Sequence, residues 1–171
     1  AANDSATACF TYLHISNALI QSGFINEAIT YIDKSLQYNH ENIYSEYVKA
    51  FILYARDRDL IQLKDRLIAT LQKDTNRLDV LQEVGKINYY LRDYESSYLY
   101  YEKYSNIKNA LNLNIYPGEN AKIGLVLSEI GLRAESEKTF SDFKDYADED
   151  NSIYKHLSLA VYYSYNNDIQ K

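Results

Sequence analysis

The chain has one proline, one cysteine, five glycines, no tryptophan and no methionine among its 171 residues. So few turn-forming residues argue against a sandwich or barrel of short strands and against a disordered chain. A single Cys9 excludes an internal disulfide framework and a cysteine-rich zinc site, and it suits a reducing, cytoplasmic compartment. No apolar run approaches the ~18 residues of a membrane span. The start AANDSATACF has no basic stretch ahead of an apolar one, so it does not read as a secretory leader. Basic residues are outnumbered by acids, giving a net charge of −6 and a pI near 5.1. That balance disfavours direct nucleic-acid binding, which needs clustered Lys and Arg to displace counterions.

What the chain does have is a recurring pattern of hairpin length. SGFINEAITYIDKSL (22–36), RDRDLIQLKDRLIATL (56–71), LRDYESSYLYYEKYS (91–105), EIGLRAESEKTFSDF (129–143) and the shorter YNNDIQK (165–171) each read as a helix end, a tight turn and a second amphipathic helix. Units beginning near Cys9, Tyr44, Leu78, Pro117 and Ile153 lie ~34 to 39 residues apart, a period at which a two-helix hairpin must stack on its neighbours to bury an apolar face. The apolar spacing predicts helices over about 8–21, 28–38, 44–55, 60–72, 78–91, 94–107, 118–130, 134–146 and 153–165. Pro117 fits a first helical turn, where its missing N–H costs nothing, and Ser152 is an expected N-cap. The absence of an initiator Met and the short closing unit read as a segment of a longer protein.

Aligned on those starts, the units place Ser16, Phe51, Gly85, Gly124 and Ala160 where paired helices approach, and Ala28, Leu63, Ser97 and Ser136 at the small position of the second helices. Large positions follow at Ile32, Leu67, Tyr101 and Phe140; Tyr12, Tyr47, Leu81, Asn120 and His156 open the first helices. Ile15, Ala50, Val84, Ile123 and Leu159 precede the small position, and Leu19, Tyr54, Asn88, Leu127 and Tyr163 come three residues after it. This set of small and aromatic positions resembles the tetratricopeptide repeat over nearly the whole chain. Phe51 and Leu63 are bulky departures in the second unit, Tyr104 and Phe143 replace a small residue, and no unit carries the closing proline. The resemblance implies an all-α, right-handed superhelix of about four and a half repeats in a single domain, with units 9–43, 44–77, 78–116, 117–152 and a truncated 153–171.

The residues assemble no chemistry. His14, His40 and His156 fall in different units without ligand-spaced partners, and His156 sits at a core-type position. Cys9 has no companion base, no glycine-rich phosphate loop occurs, and the acids Asp142, Asp145, Asp148, Glu149 and Asp150 lack calcium-loop spacing. The expectation is therefore a non-enzyme with no catalytic, cofactor or metal site. The resemblance implies a groove lined by first helices, here Leu13, Asn17, Ile20 and Gln21; Val48, Ile52 and Arg56; Gln82, Lys86, Tyr89 and Tyr90; Leu125, Ser128 and Glu129; Leu157, Val161 and Tyr165. Asn17, Gln21, Arg56, Lys86, Tyr89, Tyr90 and Tyr165 are its candidate contacts, taking a peptide or helix from a protein partner. The carboxylate clamp of chaperone-docking relatives is not matched: its positions hold Leu13, Asn17, Lys49, Asp79 and Glu83, and only Asn17 agrees. Two other roles fit the pattern: a regulatory or spacer segment of a bacterial transcription regulator or signalling protein, and a self-assembly module acting through the open last half-repeat.

Overall fold

The computed structural model describes residues 2–166, and among these it contains helices and turns with no strand. The helices are α1 (Ala2–Gln21), α2 (Ile25–Tyr38), α3 (Ile43–Asp57), α4 (Leu60–Lys73), α5 (Leu78–Tyr90), α6 (Tyr94–Ala110), α7 (Asn120–Glu129), α8 (Arg133–Glu149) and α9 (Lys155–Tyr165). Consecutive helices pair as antiparallel hairpins, α1 with α2, α3 with α4, α5 with α6 and α7 with α8. The chain divides into two compact units, the first ending at Val80 and the second beginning at Leu81, so the division falls inside α5.

Local chemistry sets the helix starts. Asn42 Oδ1 accepts the Ser45 N–H at 2.9 Å, Asp59 accepts from Ile61 and Gln62, and Asp93 accepts from Ser96 at 3.1 Å. The hairpin turns share one device: Gly23, Arg58, Arg92 and Gly131 all adopt positive φ, at 85°, 57°, 59° and 85°. Behind Gly23, Arg92 and Gly131 the next amide reaches back five residues, as in Asp93 N–H to Asn88 O at 3.0 Å, a Schellman closure. Arg58 instead donates to Tyr54 O at 2.8 Å, the simpler left-handed cap.

Several predicted boundaries shift. α1 begins at Ala2, ahead of the expected 8, and the Ser5 hydroxyl donates to Tyr38 O at 2.9 Å, tying that extension to the end of α2. Pro117 opens a 3-10 turn (Pro117–Glu119) before α7, and Ser152 Oγ accepts the Tyr154 N–H at 3.1 Å just ahead of α9. The core-type placement of His156 is corrected: it is exposed, because α9 contributes no fully buried residue.

In the N-terminal unit Leu13, Ala28, Ile32 and Ile52 form the core, with Leu19, Ile20, Ile25, Ile29 and Val48 packed around them. A buried polar knot lies beside it: Ser35 Oγ donates to Cys9 O at 2.7 Å and is 2.8 Å from Ser45 Oγ. In the C-terminal unit Ala121, Phe140 and Phe143 pack with Leu125, Tyr146, Tyr162 and Tyr165. The close-approach positions are bridged by hydroxyls. Ser97 Oγ donates to Gly85 O at 2.8 Å and Ser136 Oγ to Gly124 O at 2.7 Å, whereas in α1–α2 the direction is reversed and Ser16 Oγ donates to Ala28 O at 2.8 Å. The second hairpin, with Phe51 and Leu63 at these positions, has a half-buried Phe51 ring meeting Tyr47 edge-on at 5.0 Å.

Candidate functional site

On the first helices of the N-terminal unit, apolar side chains are largely used up by packing. Leu13 and Ile52 are core, and Ile20 and Val48 lean against it. What remains is polar: half-buried Asn17, exposed Gln21 and exposed Arg56. Arg56 clasps its neighbour Asp57 through Nε to Oδ1 at 2.6 Å and Nη2 to Oδ2 at 2.8 Å. That bidentate hydrogen bond, followed by the fields of Arg56 and Arg66, holds the Asp57 carboxyl below the usual range against a smaller opposing effect of desolvation.

The C-terminal unit presents a different surface. Gln82 is buried, while half-buried Lys86 pairs with Glu83 at 2.6 Å. Tyr89 stands 5.5 Å from Tyr90 and 6.2 Å from Tyr94 between ring centres, and Tyr90 is 56% exposed. Burial, first, raises the pKa of the Tyr89 phenol above its ordinary value; Tyr94, Tyr90 and Glu129 add to the rise and Arg92 opposes it. The end of α5 thus shares an electrostatic neighbourhood with Glu129 at the end of α7.

Beneath this surface the Tyr101 hydroxyl donates to Glu119 Oε2 at 3.0 Å, and Glu119 Oε1 accepts from Lys122 at 3.0 Å. Burial drives the Tyr101 phenol far above its ordinary range, with Glu119, Glu83 and Tyr90 reinforcing the shift. Each of these carboxylates is ion-paired with a lysine one turn on, Glu119 with Lys122 and Glu83 with Lys86. Tyr165 is a packed residue: its ring stacks on Phe140 at 3.7 Å between centres, and its hydroxyl is 2.9 Å from Ser136 Oγ. Beside it, Leu125 and Ser128 are half-buried and Glu129 exposed, while on α9 Leu157 and Val161 are exposed. Of the seven candidate contacts, the structure brings Lys86, Tyr89 and Tyr90 together on α5, and Asn17 and Gln21 on α1.

The acids at clamp-type positions are also tied up, Asp79 to Arg77 and Glu83 to Lys86, while Lys49 pairs with Asp33 at 2.7 Å. Among the described residues no group of His, Cys, Asp and Glu could hold a metal ion, and no helix is long and apolar enough to cross a membrane. Sequence reasoning missed two clefts beside the second helices, whose walls come from three helices each. One is lined by α2, α3 and α4, the other by Tyr98, Tyr101, Glu102, Asn106, Ile123 and Thr139 of α6, α7 and α8.

No protein-family model matches the chain, and no curated protein matches it by sequence. Solved structures do match. The chain is similar to YrrB, described as a TPR protein with an unusual peptide-binding site, at 16% identity and a TM-score of 0.65, covering 92% of this chain and 77% of that one. It is similar to MamA from Desulfovibrio magneticus RS-1 at 15% identity and a TM-score of 0.70, covering 95% and 88%. It is similar to PilF of Pseudomonas aeruginosa at 18% identity and a TM-score of 0.66, covering 98% and 77%. The fold is the all-α helical repeat of tetratricopeptide proteins.

Proposed function

We propose that the chain is a protein-interaction scaffold that takes a peptide or helix on the first-helix surface of its C-terminal unit. The observation that carries this reading is the Tyr89–Tyr90–Tyr94 cluster, with Tyr90 more than half exposed beside a lysine whose charge is already matched. Tyrosine offers a large contact area at low entropic cost and dominates interface energetics when packed. The similarity to a protein described as having a peptide-binding site supports the same reading. Affinity capture with the wild-type chain and with a Tyr89→Ala/Tyr90→Ala variant tests it. Partners retained by the wild type should be lost from the variant at unchanged helicity by circular dichroism. Equal capture by both would remove the surface from consideration.

A second reading, self-association, is favoured by α9. Leu157 is 64% and Val161 39% exposed, and a cleft of about 430 Å³ opens between Leu125, Phe140, Ala160, Val161, Ser164 and Tyr165. Light scattering against concentration tests it: a Val161→Asp change should abolish any rise in mass, and a monomer at every concentration rejects the reading.

A further inference from the structure

The cleft of the N-terminal unit has a volume of about 350 Å³ and a floor of Leu36, Ala50 and Ala69. Its walls carry Lys49, Arg66 and Lys73 against a single acid, Glu46, in a chain whose net charge is −6. Arg66, Ala69, Thr70 and Lys73 fall at i, i+3, i+4 and i+7, so α4 turns one continuous stripe to the cleft. Two of the cations are committed: Lys73 Nζ lies 2.6 Å from Glu46 Oε1, and Lys49 Nζ lies 2.7 Å from Asp33 Oδ1. Thr70 spends its hydroxyl on Arg66 O at 3.0 Å. Arg66 is exposed and makes no ion pair among the described residues; its field reaches Asp57, whose own partner is Arg56.

One uncommitted guanidinium beside a small apolar floor selects for a carboxylate carried next to aliphatic groups. The guanidinium fork matches a carboxylate with two parallel hydrogen bonds, and the floor takes methylenes. Charge argues against a polyanion such as nucleic acid, because two of three cations are already neutralised and the rest of the chain is acidic. The volume is at the lower end of ligand-sized clefts and holds a few side chains. We propose that the α2–α3–α4 cleft is a second docking site, which binds an acidic peptide segment by seating an Asp or Glu carboxylate on Arg66 and a neighbouring aliphatic side chain over Ala50 and Ala69. The site shares no residue with the Tyr89–Tyr90 surface and does not depend on it.

The test is a displayed library of random peptides selected in parallel on the full wild-type chain and on Arg66→Glu. Peptides specific to the wild type should be enriched in Asp and Glu. A synthesised winner should bind roughly ten-fold or more weakly to Arg66→Glu, the loss of about one charge-assisted hydrogen bond. Ala69→Phe, which fills the floor, should weaken it comparably, while Tyr89→Ala/Tyr90→Ala should leave it unchanged. Arg66 and Ala69 are both exposed, and circular dichroism checks that each variant keeps its helicity. The proposal is overturned if no peptide is enriched, if the pools from the two chains are alike, or if the winner depends on Tyr89 and Tyr90. Competition by inorganic phosphate as effective as the unlabelled peptide would also overturn it, leaving a simple anion site.

Discussion

The two units build the same helix hairpin with different residues at the close approach. In the C-terminal unit the first helices give up their side chains, at Gly85 and Gly124, and the rings of Tyr101 and Phe140 lie against the bare backbone. In the N-terminal unit the same positions hold Ser16 and Phe51, and the core is aliphatic, built on Leu13, Ile32 and Ile52. What the repeat requires, then, is a total volume and a distance across the seam, and either helix can supply them. The cost of the aromatic solution is that buried phenols, Tyr101 and Tyr104, enter the C-terminal unit with their hydroxyls held by Glu119 and Ile115 O.

The largest expected contrast follows from those phenols. Burial first, then Glu119 and Tyr116, pushes Tyr104 up to about 12, and Tyr101 is raised further. A folded-state value above the ordinary one near 10 stabilises the neutral form. The contribution is present in full below pH about 10 and is lost as pH rises toward and through about 12. Alkaline titration followed by hydrogen exchange should therefore open the C-terminal unit before the N-terminal one, and Tyr104→Phe should shift that opening to higher pH. Simultaneous loss of both units would break the contrast.

Next in size is Gly124→Ala. A Cβ there would stand 2.6 Å from the Phe140 ring, so the ring must move; overpacking of this kind costs about 1–3 kcal/mol, more than the ~1 kcal/mol that Ala gains over Gly in a helix. Gly85→Ala meets Tyr101 at 3.0 Å and should cost less, within about 1 kcal/mol by urea denaturation. Ser136→Ala removes the hydroxyl bridge to Gly124 O and the contact with Tyr165, for a loss of about 1 kcal/mol. The smallest effect is a gain. Arg58 and Arg92 hold the left-handed turn conformation that Gly23 and Gly131 occupy without strain, so Arg58→Gly and Arg92→Gly should each raise stability by about 0.5–1 kcal/mol in thermal melts. A loss at either position would mean that its side chain, not its backbone, holds the turn.

Much of this was legible in the sequence because hairpin length, turn residues and apolar spacing are local quantities. Register alone put Gly85, Gly124, Ser97 and Ser136 at small positions of their helices, and the structure joins them as Ser97 to Gly85 O and Ser136 to Gly124 O. The positive φ of Arg58 and Arg92 was hidden, since only glycine advertises that conformation. Residues 2–7 carry no apolar periodicity, so their helix was invisible until Ser5 was seen to bond Tyr38 O. His156 kept a core-type register yet lies exposed, because register fixes a face and not whether anything covers it. The acidic-peptide cleft was illegible for a related reason. Lys49 lies on α3 and Arg66 and Lys73 on α4, and only the packing of α2, α3 and α4 sets the three around one floor.

The reversed hydroxyl bridges have a bearing on how such chains drift. Ser16 reaches across to the carbonyl of Ala28, whereas Ser97 and Ser136 reach back to Gly85 and Gly124, so donor and acceptor can trade helices without altering the join. Substitution at one member is then buffered by its opposite number twelve residues away, and a Ser16→Ala/Ala28→Ser exchange should cost less than Ser16→Ala alone. In an array of such repeats covariation between the two columns, rather than invariance of either, would be the trace left in descendants.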